Sequence, residues 1–361
     1  MPTTFVDPHE MAPESMKRRQ YLKLAGAGLG VASLTGMAGC VGGEETSEGL
    51  TEVPLLWNEG SMSIPVVMAG EAENLWETEG IDLDFSVAGY GRYSQAISSG
   101  EAPLNNVNSA IYMNNQRDDG DMVLAGGMDK LINGAFVPED STIESPADFE
   151  DQVIGIPPRD SGTSMIMTSM IQEEYGYDLE EIAADVIETD PASLWNLMTE
   201  QEDIDAMFQF ASFTVMGRAE GSPVRQIFDP NEWWLDQTGQ DALITFWGAS
   251  QEWLEDGNAE TALATLRGWE AARDYTINNL EEVIESYGAL AGFTDPAETD
   301  QVQAELADGA IPNIEEWDQD VAENQYEILD LLVEYDFYDS KPSVDEGAVT
   351  FSQLEEMAAD D

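Results

Sequence analysis

The chain has 361 residues, and its 73 Asp and Glu against 13 Lys and Arg give a formal charge of −60. That balance excludes nucleic acid as a partner, because gripping a phosphate backbone requires a basic face. It does not describe an acidic disordered tail, since 42% of residues are hydrophobic and the acids are interleaved with them; a shell of this kind suits molar salt, where repulsion is screened within about 3 Å, and reads as a halophile's.

Residues 1–39 read as an export signal. Lys17-Arg18-Arg19-Gln20-Tyr21-Leu22-Lys23 is a twin-arginine head, an apolar stretch follows over 24–37, and Met37-Ala38-Gly39 leads to Cys40. As a helix, 24–37 reaches only about 21 Å, against roughly 30 Å of bilayer hydrocarbon, so it is a signal core and not a span. Cys40 is then the lipidation site, 40–50 a Gly- and Glu-rich tether, and Met16 an alternative start. The expected location is the outer face of the cytoplasmic membrane.

The only histidine, His9, falls inside that signal, and Cys40 is the only cysteine. The region after Cys40 therefore has no imidazole or thiol, which excludes Cys/His zinc sites, Ser-His-Asp triads, Cys nucleophiles and disulfides. No acidic calcium loop is present. Carboxylate chemistry stays open, but acids are too abundant for any pair to be informative. No catalytic residue, metal or cofactor is assigned.

From residue 51 the pattern is α/β. A strand is predicted over 53–57, a helix over 64–76 ended by Glu79-Gly80, and a half-buried strand where Ile81, Leu83, Phe85 and Val87 alternate with Asp82, Asp84 and Ser86. A Gly- and Tyr-containing loop, a helix over 94–99 and strands at 105–110 and 122–125 follow. The rhythm restarts with a strand at 134–137, a helix capped at Ser145 with Pro146 first, and a strand at 153–156. Next come a helix over 164–175 and strands at 185–188, 204–208, 224–228 and 243–247. From 259 onward the chain reads as helical. This predicts mostly parallel sheets with covering helices in two lobes.

Several segments resemble, in order, one family. Leu75-Trp76-Glu77-Thr78-Glu79-Gly80-Ile81-Asp82-Leu83, Gln95-Ala96-Ile97-Ser98-Ser99-Gly100-Glu101, Ile143-Glu144-Ser145-Pro146-Ala147-Asp148-Phe149 with Val153-Ile154-Gly155-Ile156, and Asp203-Ile204-Asp205-Ala206 are similar to motifs of the solute-binding proteins of nitrate, sulfonate and taurine ABC importers, a group that includes binders of the thiamine pyrimidine precursor. The likeness spans about 51–279; Glu200-Gln201-Glu202 departs from it where glycine is usual. It implies a two-lobed, type II periplasmic-binding-protein-like fold with a helical C-terminal part, lobe I from 51–130 and 240–361 and lobe II from 131–239. It also implies a non-enzymatic monomer that hands a small solute to an ABC permease and ATPase complex.

In such a fold the ligand lies between lobes, outside the carboxyl ends of the strands. The candidate contacts are Asn58, Ser61, Tyr90, Arg92, Tyr93, Asn108 and Ser109 in the first lobe. In the second they are Arg159, Ser161, Gly162, Thr163, Ser164, Gln209 and Phe210, with Trp247 at the return crossover. The loop 157–164 joins prolines, a cation and three hydroxyls at a helix start, which favours an anion; the same residues also suit a helix cap with Arg159 paired to a surface acid. The expected solute is a small organic anion of the sulfonate, carboxylate or nitrate class. A pyrimidine-like aromatic stacked on Trp57, Tyr90, Tyr93, Phe210 or Trp247 is the alternative, and an enzyme on the same scaffold a more distant one.

Overall fold

A computed structural model describes residues 49–360. The signal, Cys40 and most of the tether lie outside them. The first sheet opens with β1 (Thr51–Asn58) and β2 (Ile81–Ala88), paired in parallel from Thr51 against Ile81 to Asn58 against Ala88. Alternation in β2 acts as its sequence dictates, with Ile81, Leu83 and Phe85 buried and the intervening positions turned outward. The helix predicted between these strands is interrupted. It splits into α1 (Ile64–Ala72) and a single turn, α2 (Leu75–Thr78), because Asn74 takes a left-handed conformation at φ 57°, which asparagine tolerates better than most residues.

Helix α3 (Tyr90–Ser98) begins four residues before its predicted start, directly after Gly89. β3 (Leu104–Asn108) then lies beside β1 and leads into α4 (Ser109–Arg117), and β4 (Met122–Lys130) runs five residues past its expected end. β10 (Leu243–Ser250) inserts antiparallel between β3 and β4 to make a three-stranded ladder, and the β1–β2 ladder lies beside β3 without pairing to it, so the layer runs in the spatial order β2, β1, β3, β10, β4.

The second sheet repeats that order. It comprises β5 (Asn133–Pro138), β6 (Val153–Ile156), β7 (Asp185–Glu188), β8 (Ala206–Phe210) and β9 (Val224–Phe228), arranged β7, β6, β8, β5, β9. β5 plays the part of β10, since it alone runs antiparallel to its neighbours. Its covering helices include α5 (Gly162–Tyr175), α6 (Pro191–Asn196) and α7 (Ala211–Arg218). The segment capped at Ser145 is only a 3-10 turn, Pro146–Asp148.

Two crossings join the sheets, and they are clipped together. Leu131 N–H donates to the Ala242 carbonyl at 2.8 Å, and Lys130 Nζ pairs with Asp241 at 2.9 Å. After β10 the chain is helical through α8 (Ala259–Asn278), α9 (Leu280–Tyr287), α10 (Pro296–Ala307), α11 (Gln319–Glu334) and α12 (Phe351–Asp360). α8 and α9 cover the first sheet. α11, in the stretch expected with the first lobe, packs on α5 and also meets α4 through the Tyr112 and Tyr326 hydroxyls, so one apolar cluster runs from Ile111 and Met113 through Met167 and Met170 to Leu329 and Leu332.

Candidate ligand-binding cleft

Between the sheets lies a cavity of about 480 Å³. Each wall comes from a place where a parallel strand ends and a helix begins: β1 supplies Asn58, β3 supplies Asn108, β6 leads to Pro157, and β8 ends at Phe210. This is where an open parallel sheet leaves main-chain groups and loop side chains free to meet a solute.

Of the candidate residues, Asn58, Ser61, Tyr90, Tyr93, Asn108, Ser161, Gly162, Thr163 and Phe210 line the cavity. The early start of α3 explains the tyrosines: three apart on one helix, they share a face, with ring centroids 6.2 Å apart. Tyr93 is fully buried and donates its hydroxyl hydrogen to Asn106, whose backbone and side-chain oxygens stand at 2.8 and 2.7 Å; burial pushes both tyrosine hydroxyls above their ordinary range.

The structure corrects the placement of the others. Arg92 lies on the outer side of α3, half-exposed, with Nη2 2.6 Å from Glu101. Arg159 is likewise half-exposed and held by Glu180 and, at 3.2 Å, by Glu188. In a chain with this excess of acids, an arginine near a helix start finds a surface carboxylate. Ser109 is buried behind the lining, and Ser164 Oγ donates to the Pro157 carbonyl at 2.8 Å. Gln209 Nε2 donates to the Pro191 carbonyl at 2.9 Å. Trp247 is sealed in the first core against Trp57 and Trp269, with centroids 6.0 and 5.9 Å away. Ser161 caps α5 by accepting the Ser164 amide at 3.2 Å. Arg92→Ala and Arg159→Ala are therefore expected to change solute affinity less than about twofold by calorimetry, since exposed pairs contribute little; a tenfold loss in either would return a guanidinium to the cleft.

Glu59, between Asn58 and Ser61, lines the cavity with them, and further lining residues were not anticipated: Asp129, Lys130, Asn133, Asp190, Phe213 and Thr245. Asp129 was hidden because the strand was expected to end at 125, before Gly126-Gly127, whereas β4 continues to Lys130. The glycines are there for close approach, since a Cβ on Gly126 would sit 2.2 Å from Ile314 Cδ1 and one on Gly127 2.5 Å from Leu243 Cδ1. Asp190 caps α6, accepting from the Ser193 amide at 2.9 Å and its hydroxyl at 2.6 Å, bonds that hold its carboxyl below the usual range. Asn133 Nδ2 is buried without a partner among the described residues.

The charge of this lining is one-sided. Glu59, Asp129 and Asp190 bring three carboxylates, whereas the only cation among the lining residues, Lys130, is engaged by Asp241. Helix starts at α3, α5 and α7 oppose them, each with the equivalent of about half a positive charge, and the α5 start is already capped.

Two sheets of one strand order, each with a single reversed strand, around a cleft at the strand ends define the periplasmic-binding-protein fold. Solved structures agree. The chain is similar to the periplasmic aliphatic sulphonate binding protein SsuA of Escherichia coli, with a TM-score of 0.66 and 17% identity over 82% of this chain and 91% of that one. It is also similar to the Candida albicans CA3427 gene product, described as having the generic periplasmic binding protein fold, with a TM-score of 0.61 and 11% identity over 83% and 97%. The desulfurization enzyme DSZB matches with a TM-score of 0.59 and 14% identity over 86% and 99%. The NMT1/THI5-like family model matches residues 62–282, and the chain belongs to that family. No curated protein matches it.

Proposed function

We propose that this protein is an extracytoplasmic solute receptor that closes on a small molecule and delivers it to an ABC permease and ATPase. In this reading it is exported by the twin-arginine route, anchored through lipid at Cys40 and monomeric, and it works without catalysis. Lobe I comprises 51–130 and 240–361 and lobe II 131–239, hinged at the crossings that Leu131 and Ala242 clip together. Membership of the NMT1/THI5-like family and the cleft between sheets support this reading. Catalysis on this scaffold, as the name of DSZB indicates for that protein, has less support here, because residues 49–360 contain no histidine or cysteine.

The ligand we assign is a planar, uncharged or weakly basic heteroaromatic solute of the pyrimidine type, in place of the organic anion first expected. One observation carries the choice: the lining combines the rings of Tyr90, Tyr93, Phe210 and Phe213 with three carboxylates and no unengaged cation. Burying an anion there would set a full charge against those carboxylates, which partial helix charges do not outweigh. Rings and carboxamides, by contrast, suit a flat molecule with donors and acceptors at its edge.

The test is a thermal-shift screen in molar potassium chloride with pyrimidines, alkanesulfonates, carboxylates and nitrate. A pyrimidine at a hundred times its Kd should add about 2.7 kcal/mol of stability. Tyr90→Ala should weaken it about tenfold. Stabilisation by sulfonates and not by pyrimidines would overturn the ligand assignment while leaving the receptor intact.

A further inference from the structure

Of the nine bases after Cys40, one stands between the lobes as divided above. Arg218 ends α7, on the second sheet, and its guanidinium reaches three partners with three different nitrogens. Nε donates to Gln226 Oε1 at 2.8 Å, Nη2 to Asp229 Oδ2 at 2.5 Å and Nη1 to Glu305 Oε1 at 2.9 Å. Gln226 lies on β9 and Asp229 directly after it, in the same lobe as Arg218. Glu305 belongs to α10, which packs on α9 and buries Val302 and Leu306 in the first core. Among the described residues this is the one ion pair that joins the two lobes.

Each partner is fixed on its own side. α7 is keyed to the second sheet at Gly217, where a Cβ would sit 2.5 Å from Phe136 Cε1, and Asp229 Oδ1 accepts from the Asn231 and Glu232 amides at 3.0 and 3.1 Å. Glu305 is held by Gln301 Nε2 at 2.9 Å, one turn earlier on α10. The contact is a packed one, since Val215, one turn before Arg218, is fully buried in the first core. The side chains of Arg218, Glu305 and Asp229 are 19%, 14% and 25% exposed, so molar salt screens them less than it screens surface pairs. α7 also begins in the cleft, where Ala211, Ser212 and Phe213 line the wall, so one short helix runs from the solute to this contact.

We infer that Arg218 is an electrostatic clamp that holds the two lobes together at the edge of the cleft. One cation serves two carboxylates from different lobes. Removing it leaves Asp229 and Glu305 as like charges facing each other in a poorly solvated gap, so attraction between the lobes turns into repulsion. Such a pair selects a geometry more than it adds to global stability, because the desolvation of its charges offsets much of their attraction. The inference rests on the two-lobed receptor reading and adds to it what sets the resting angle of the lobes. The opening equilibrium should shift by about tenfold to a hundredfold when the clamp is lost. Apparent affinity for a solute that needs both lobes falls with the fraction of molecules able to offer them.

Small-angle X-ray scattering of the unliganded protein in molar potassium chloride reads the separation of the lobes, with circular dichroism checking that each variant folds. Arg218→Gln should raise the radius of gyration above the wild-type value. Adding Glu305→Gln to it removes one of the two facing charges, so the double variant should return to the wild-type radius although it lacks the ion pair. A purely structural Arg218 predicts the opposite order, with the double variant at least as perturbed as the single. An unchanged radius in Arg218→Gln overturns the inference, as does a rise that persists in the double variant. If Arg218→Gln does not fold, Glu305→Lys decides from the other lobe: it sets a second cation against Arg218 and should raise the radius, and an unchanged radius there overturns the clamp. Because no solute is added, failure of the clamp leaves the receptor reading standing. Silence of every solute in the thermal-shift screen counts against the receptor reading and leaves the scattering result as it is.

Discussion

Dialysing the protein from molar potassium chloride into dilute buffer is expected to loosen or unfold it, with a fall in melting temperature of more than about 10 °C, equivalent to some 4 kcal/mol. Two electrostatic effects compete as salt is withdrawn. Ion pairs strengthen, and like-charge repulsion is released from screening as the Debye length grows from about 3 Å at 1 M to about 30 Å at 0.01 M. The first effect is small. Of the basic residues after Cys40, all but Arg225 have a carboxylate partner, and Arg225 donates to the Ser141 and Ile143 carbonyls, so few pairs remain to be gained. Four of these eight, Arg92, Arg117, Arg159 and Arg267, are exposed, where a pair contributes about 0–1 kcal/mol. The second effect acts on the 70 acids that face nine bases after Cys40, and it dominates. Far-ultraviolet circular dichroism across the dialysis, with melting at each step, checks it. A melting temperature independent of salt would contradict the high-salt reading of the composition.

What the sequence disclosed follows the range of the forces involved. Local rules located β2 by its alternation and α5 to within two residues by its apolar spacing, and strand ends located the cleft loops. The family resemblance supplied the two-lobed plan. Partner choice was not legible: nothing local states that Arg159 turns to Glu180 and Glu188 or that Arg92 turns to Glu101. Asp129 was illegible for a related reason, since its donors Ser63 and Thr245 lie 66 and 116 residues away. The residues that give the cleft its charge are set by tertiary contacts. Periodicity could not see them.

Trp76→Ala is expected to cost about 3–5 kcal/mol, the loss usual for a large buried side chain. The sequence pattern placed Trp76 at the end of one long helix, whereas the left-handed Asn74 gives it a turn of its own and swings the indole between α1 and α8. Two glycines make the slot. A Cβ on Gly70 would lie 2.3 Å from the indole Cζ3, and one on Gly268 2.3 Å from Cδ1. Trp76 is 1% exposed, and its Nε1 donates to the Thr265 carbonyl of α8 at 3.1 Å, so truncation empties the slot and removes that second donor from a helix carbonyl. Gly268→Ala alone should cost about 1–3 kcal/mol by overpacking. In a chain that already carries Trp76→Ala, the same added methyl meets a void, so the two costs should fall short of additive by about 1 kcal/mol or more. Urea unfolding in molar potassium chloride of the four proteins in this cycle measures the coupling. Full additivity, or a loss below about 1 kcal/mol for Trp76→Ala, would show that the indole does not key α2 into the α1–α8 interface; solute affinity should stay unchanged in the variants that fold, because Trp76 does not line the cleft.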